Sequence, residues 1–300
     1  MHAMSAATVA AASATKTEAA SPRRGTVRCR RIAPHDESGL SLLLARGFPA
    51  LSAAGWGQAL ARTRTWHETE GLPAPGFLIE DGDVPVGVLL TIWSPGGTRC
   101  NLSSWYLEEG YRRYGQMLVS AALRDRSVTY LNISPERHTW PIIEAQGFRR
   151  YTGGVVAALP LLALGRRGAG AAEEEPPAGA AVDPAERLLV EQHRAMGCVA
   201  LWCVLDGRAH PLVFARRTVR RLPVAQLVYC AEGTDWRRCA GAVGRALARH
   251  GLLVLLADAP GPIPGLPGRF LPGRMPKYAR GPEIPRCGDL SYTETAIFGT

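Results

Sequence analysis

The sequence predicts a mixed α/β (α+β) protein in two parts, and three observations predict it. The chain has 300 residues, where a domain takes roughly 150. Strand-like and helix-like patterns interleave along it instead of segregating. Their order partly recurs at an offset of about 125 residues, and self-similarity at a long period bears on the whole architecture. Hydrophobic residues at 46% and charged residues at 20% exclude a disordered, collagen-like or coiled-coil chain.

The first part opens with β-branched residues alternating with Arg from Thr26 to Ile32, a strand, followed by a turn and helix start at Pro34 to Ser38. Leu40, Leu43 and Leu44, then Leu51, Trp56 and Leu60, mark two amphipathic segments broken at Pro49. From Phe77 to Trp93 the pattern reads as two strands joined at Asp81-Gly82. A strand over 100–107, a helix over 115–123, a strand over 128–133, a helix over 137–146 ended by Gly147 and a strand over 155–161 complete this part. Residues 1–25, rich in Ala, Ser and Thr, read as a disordered tail. Residues 165–185 have a linker's composition. The expected domains are therefore 26–164 and 186–300.

In the second part Asp206-Gly207 echoes the first hairpin turn. Leu227 to Glu232, followed by Trp236-Arg237-Arg238, echoes Ser103 to Glu108 followed by Tyr111-Arg112-Arg113. A helix over 239–250 and a strand over 252–257 keep the register. The Pro- and Gly-rich stretch 260–285 forbids a second helix and is expected to border an acceptor cleft. A last strand over 290–298 is expected to close the chain.

The chemistry concentrates where the strand ending at Leu107 and Glu108 runs into the helix at Gly115. The first-turn N–H groups of a helix have no partner inside it, and its dipole favours negative charge. With Arg112 and Arg113 just before it, the natural occupant is a phosphate. The run Arg112-Arg113-Tyr114-Gly115-Gln116-Met117 resembles the pyrophosphate signature Gln/Arg-x-x-Gly-x-Gly/Ala of the GNAT superfamily of N-acyltransferases. It matches at Arg112 and Gly115 and departs at Met117. The strand Val128 to Ser134 and the helix ending Ala145-Gln146-Gly147-Phe148 continue the resemblance, which covers 26–162 and recurs, degraded, in 187–298.

The resemblance implies two GNAT-like domains, each a mostly antiparallel mixed sheet flanked by helices, with the fourth and fifth strands splayed apart in the first. It implies acetyl-CoA or another acyl-CoA as co-substrate, its pantetheine paired along Leu102 to Leu107. The diphosphate would be held by backbone N–H groups of Tyr114, Gly115, Gln116 and Met117 and by the Arg112 and Arg113 side chains, with Leu107 and Asn132 flanking. The implied activity moves an acyl group to an amine on a small molecule or peptide. That reaction needs a base for the amine, a polarised carbonyl and an acid for the thiolate. Ile143 stands where the family often carries an acidic Tyr; Tyr111, Tyr114, Tyr130 and His138 are the nearby substitutes and no spacing selects one, Glu108 is the candidate base, and Ser134 joins His138 at the end of the fifth strand as a candidate catalytic group. In the second part Asp235 is a like charge against phosphate, so no cofactor is expected there.

Two alternatives remain: a non-catalytic acyl-CoA-binding or scaffold protein of this fold, and an aminoacyl-tRNA-dependent transferase. The second lacks the Lys-rich stretches and long helical arm expected of it. The net charge of +9 comes almost wholly from Arg, since only Lys16 and Lys277 are lysines. Those arginines are scattered without interleaved aromatics, which argues against a nucleic-acid partner. Seven cysteines without ligand spacing predict reduced thiols, no metal and a cytoplasmic setting. No run of eighteen apolar residues occurs, so no membrane partner is expected.

Overall fold

The computed structural model describes residues 26–163 and 172–298. The expected tail and the first residues of the expected linker lie outside the described residues. Contacts divide the chain into two compact units, Met1–Arg126 and Ser127–Thr300.

The first unit contains β1 (Val27–Arg31), α1 (Glu37–Gly47), α2 (Ala53–Thr69), β2 (Gly76–Asp81), β3 (Val84–Trp93), β4 (Arg99–Leu107) and α3 (Gly115–Ala122). Its strands lie in the order β1-β2-β3-β4, each antiparallel to the next. Leu40, Leu43 and Leu44 are fully buried at helical spacing on α1, as are Val88, Leu90 and Ile92 on β3. Ser52 caps α2 by accepting from the Gly55 N–H at 3.2 Å. Burial pushes the Asp36 carboxyl up, but a bidentate bond from Arg30 (2.7 and 2.7 Å) and the Ala33 N–H outweigh it, so the carboxyl titrates below its ordinary value.

β4 is bulged. Val88 faces Tyr106 and Leu90 faces Ser103, so Leu89 opposes two residues, Ser104 and Trp105, and Ser104 takes φ +53°. A bulge bends its strand and increases the local twist.

The second unit contains β5 (Thr129–Asn132), α4 (Trp140–Ala145), β6 (Arg149–Arg150), β7 (Gly154–Ala158), β8 (Ala172–Glu173), α5 (Pro184–Ala195), β9 (Val199–Leu205), β10 (Arg208–Val219), β11 (Leu222–Cys230), α6 (Trp236–Arg249), β12 (Val254–Ala259), β13 (Gly268–Pro272), β14 (Tyr278–Arg280) and α7 (Glu294–Ile297). Seven of its strands form a sheet in the order β13-β7-β12-β11-β10-β9-β8. All neighbours there are antiparallel except β11 and β12. The hairpin at Asp206-Gly207 forms with both residues at positive φ.

The two repeats exchange their final strands. β7, from the first repeat, lies between β12 and β13 of the second, with Val156 facing Ala257 and Phe270. β14, from the second, lies between β5 and β6 of the first, with Tyr278 facing Asn132 and Arg150. Val156 therefore sits in the core that Phe214, Val243, Leu247 and Leu255 build. α6 seats directly on the end of the first repeat: a Cβ at Gly244 would lie 2.5 Å from the Leu161 backbone nitrogen.

Two segments differ from expectation. Within 165–185, Ala172–Glu173 pairs with β9 as an edge strand, and Asp183 caps α5 by accepting from the Ala185 and Glu186 N–H groups at 2.8 and 3.2 Å. The strand expected over 290–298 does not form. Tyr292 takes φ +56°, outside the extended region, and the short helix α7 follows; the last strand among the described residues is β14.

Candidate active site

The expected phosphate loop lies wholly in the first unit. Between β4 and α3 the chain forms a 3-10 helix over Glu109–Tyr114 that runs straight into α3. The Tyr111 N–H donates to the Glu108 carbonyl at 2.9 Å, and the Gly115 N–H donates to the Arg112 carbonyl. This corrects one donor read from the sequence. The helical run begins at Glu109, so its unpartnered first-turn donors belong to Glu109 and Gly110, and the Gly115 amide is already engaged. Gly115 is small for a packing reason: a Cβ there would come 3.1 Å from Cζ2 of Trp105.

The side chains fit an anion better than the backbone does. Arg112, Arg113, Gln116 and Met117 are exposed. Arg113 lies 4.8 Å over the Tyr114 ring and donates to its hydroxyl at 3.0 Å. Among the described residues neither Arg112 nor Arg113 has a carboxylate partner. The indole N–H of Trp105 is buried beneath the start of α3 with no hydrogen-bond partner. Two guanidinium groups without a carboxylate partner suit the paired phosphates of an acyl-CoA, whereas the Gly115 amide does not.

Glu108 ends β4 half-exposed, its Oε1 accepting from Arg46 Nε and Nη2 at 3.1 and 2.7 Å. The Tyr111 hydroxyl donates to Asp81 Oδ2 at 2.6 Å. That bond, with burial and the charges of Asp81 and Glu108, raises the phenol above its ordinary value, so Tyr111 holds its proton. Leu107 packs its side chain towards Gly87 and Gly115. Arg46 and Asp81 escaped the sequence reading because they lie 62 and 30 residues from their partners.

The remaining candidates belong to the second unit. Asn132 ends β5 opposite Tyr278. The Ser134 hydroxyl donates to Glu294 Oε1 at 2.7 Å. His138 is exposed in a 3-10 turn over Arg137–Thr139. Ile143 is buried in α4 and serves packing.

The corresponding loop of the second repeat is satisfied by the protein itself. Asp235 caps α6 by accepting from the Arg237 N–H at 2.9 Å, and Asp206 holds Arg238 in a bidentate pair at 2.7 and 3.0 Å. Among the described residues no cluster of three or more His, Cys, Asp or Glu could hold a metal, and no helix is long and apolar enough to cross a membrane.

No protein-family model matches the chain, and no curated protein matches its sequence. Solved structures do match its fold. A candidate acetyltransferase of Pyrococcus horikoshii superposes with a TM-score of 0.53 at 13% identity, covering 94% of this chain and 99% of the other. A GCN5-related N-acetyltransferase of Anabaena variabilis gives 0.53 at 10% identity over 85% of this chain and 72% of its own. One of Kribbella flavida gives 0.51 at 15% identity over 85% and 71%. Through these neighbours, and with its paired mostly antiparallel sheets flanked by helices, the chain has the fold of the GCN5-related N-acetyltransferases in two GNAT-like copies.

Proposed function

We propose that the chain is an acyl-CoA-dependent N-acyltransferase whose first repeat, residues 26–164, binds the acyl-CoA. The carrying observation is the bulged end of β4 leading into a helical run that carries Arg112 and Arg113, both free of carboxylate partners among the described residues. The acyl-CoA supplies an activated thioester. Arg112 and Arg113 bind its diphosphate, and Leu107 with Trp105 walls the arm. Glu108, paired with Arg46, takes the proton that the amine loses as its nitrogen bonds to the acyl carbon and the C–S bond breaks. Tyr111 keeps its phenolic proton and is the candidate donor to the departing thiolate. The acceptor is an amine on a small molecule or peptide, and the setting is the cytoplasm.

One observation favours a second reading, an acyl-CoA-binding protein without turnover: Glu108 and Tyr111 are both held by neighbours, Arg46 and Asp81. Thiol release from acetyl-CoA with a panel of amines separates the two. Turnover supports the transferase; saturable binding with no thiol released supports the binding protein.

A further inference from the structure

The end of β11 carries a feature that acyl transfer does not use. β10 pairs with one edge of β11 from Leu222 to Cys230. β12 takes the other edge only at Val224, Ala225 and Gln226, then leaves it. The cause is a bulge: Val213 faces Tyr229 and Phe214 faces Leu227, so Val228 is an extra residue that bends the strand away. The edge so freed is covered by the chain itself. The Leu290 N–H donates to the Val228 carbonyl at 2.7 Å, the Cys230 N–H donates to the Gly288 carbonyl at 3.0 Å, and Tyr229 faces Asp289 in an antiparallel bridge.

The covering segment is read at two positions. Gly288 must be small, because a Cβ there would lie 2.7 Å from Cys230 Sγ, and its φ is +86°. Leu290 is buried among Leu131, Ile133 and Ala279, a pocket beside the edge. Beyond these positions Arg286 donates to the Cys230 carbonyl and lies over the Tyr229 ring, and the Ser291 N–H and hydroxyl both donate to Asp289 Oδ1. Tyr292 reaches α5, with its N–H to His193 Nε2 at 3.3 Å and its hydroxyl to Gln192 Oε1 at 2.5 Å, and it takes a left-handed backbone to do so. Among the described residues two backbone hydrogen bonds join Gly288–Leu290 to β11.

We propose that the freed edge of β11 is a strand-addition site for an extended peptide of Gly-x-Leu pattern, and that the chain's own Gly288–Leu290 fills it in the resting protein. Main-chain pairing gives such a site its affinity and the pocket gives its specificity. A tethered segment acts at roughly millimolar effective concentration, so a free peptide competes only when the tether is weakened or removed. The inference stands apart from the acyl-transfer reading and fails or survives without it.

The test uses a labelled synthetic peptide of residues 287–298, titrated by fluorescence anisotropy into the full chain, into a chain ending at Arg286, and into full-length Leu290→Ala. The shortened or the Leu290→Ala chain is expected to bind the peptide one to one, at least tenfold tighter than the unaltered chain does. A peptide carrying Leu290→Pro, which removes the N–H that reaches Val228, is expected to bind at least tenfold weaker. Should the shortened chain fail to fold, the Leu290→Ala chain carries the test alone. No saturable binding to a folded variant, or equal binding of the proline peptide, overturns the proposal.

Discussion

β4 and β11 are the same strand in two repeats, and they end in opposite states of satisfaction. Each is bulged near its end, and each is followed by two adjacent arginines at the start of the helical run, in the 3-10 helix before α3 and in the first turn of α6. After β4 the arginines have no carboxylate and α3 has no side-chain cap. After β11, Asp235 caps α6, Asp206 neutralises Arg238, and Gly288–Leu290 covers the strand edge. One topology can thus present unsatisfied groups to a ligand or satisfy them internally. The choice lies in a few residues at the end of the strand and the start of the helix that follows it.

The comparison breaks first at the level of folding. Since β14 completes the β5–β6 ribbon and β7 completes the β12–β13 sheet, residues 26–164 expressed alone are expected to lose native structure, and co-expression with 186–300 to restore it. Circular dichroism and size-exclusion profiles would show this. A folded, monomeric isolated repeat would mean that the exchange is dispensable. Next, Glu108→Gln is expected to lower turnover about a hundredfold, the scale of one general base, while acyl-CoA affinity stays unchanged. Steady-state kinetics beside calorimetry would reveal whether both fall together, which would make Glu108 a structural residue only.

Smaller effects sharpen the contrast. Asp36→Asn is expected to cost about 2 kcal/mol at pH 7, as for a hydrogen-bonded charge. Because the folded carboxyl titrates below its unfolded value of about 3.9, its contribution is present above that pH and is lost as pH falls through the folded value. The gap between wild type and variant in urea melts should therefore close in acid; a gap constant from pH 7 to 2 would contradict the assignment. Gly244→Ala should destabilise by about 1 to 3 kcal/mol, the usual range for overpacking, since the new methyl meets the Leu161 backbone.

What the sequence disclosed was local. The Asp81-Gly82 and Asp206-Gly207 turns, the Leu40, Leu43, Leu44 stripe and the order of elements in both repeats depend on neighbours within a turn or two. What it hid depends on partners far away. Nothing in Val155 or Val156 says that they pair with Leu271 and Phe270 of the other repeat. Ser104 and Tyr292 adopt positive φ without being Gly or Asn, so the bulge in β4 and the end of the expected last strand left no compositional trace. At the candidate site Arg112 and Arg113 were legible as a pair beside a helix. The 3-10 helix that engages the Gly115 amide was not, because its residues have no preference that separates it from an open loop.

The central claim is that the arginines after β4, which have no carboxylate partner, and not Arg237 and the Asp206-paired Arg238 after β11, hold the diphosphate of an acyl-CoA. Calorimetric titration of acetyl-CoA into wild type, Arg112→Ala/Arg113→Ala and Arg237→Ala/Arg238→Ala tests it most directly. Wild type and the second variant are expected to bind alike, and the first at least tenfold weaker, about 1.4 kcal/mol. Equal affinity in all three chains, or loss only in the Arg237 and Arg238 variant, would contradict the account.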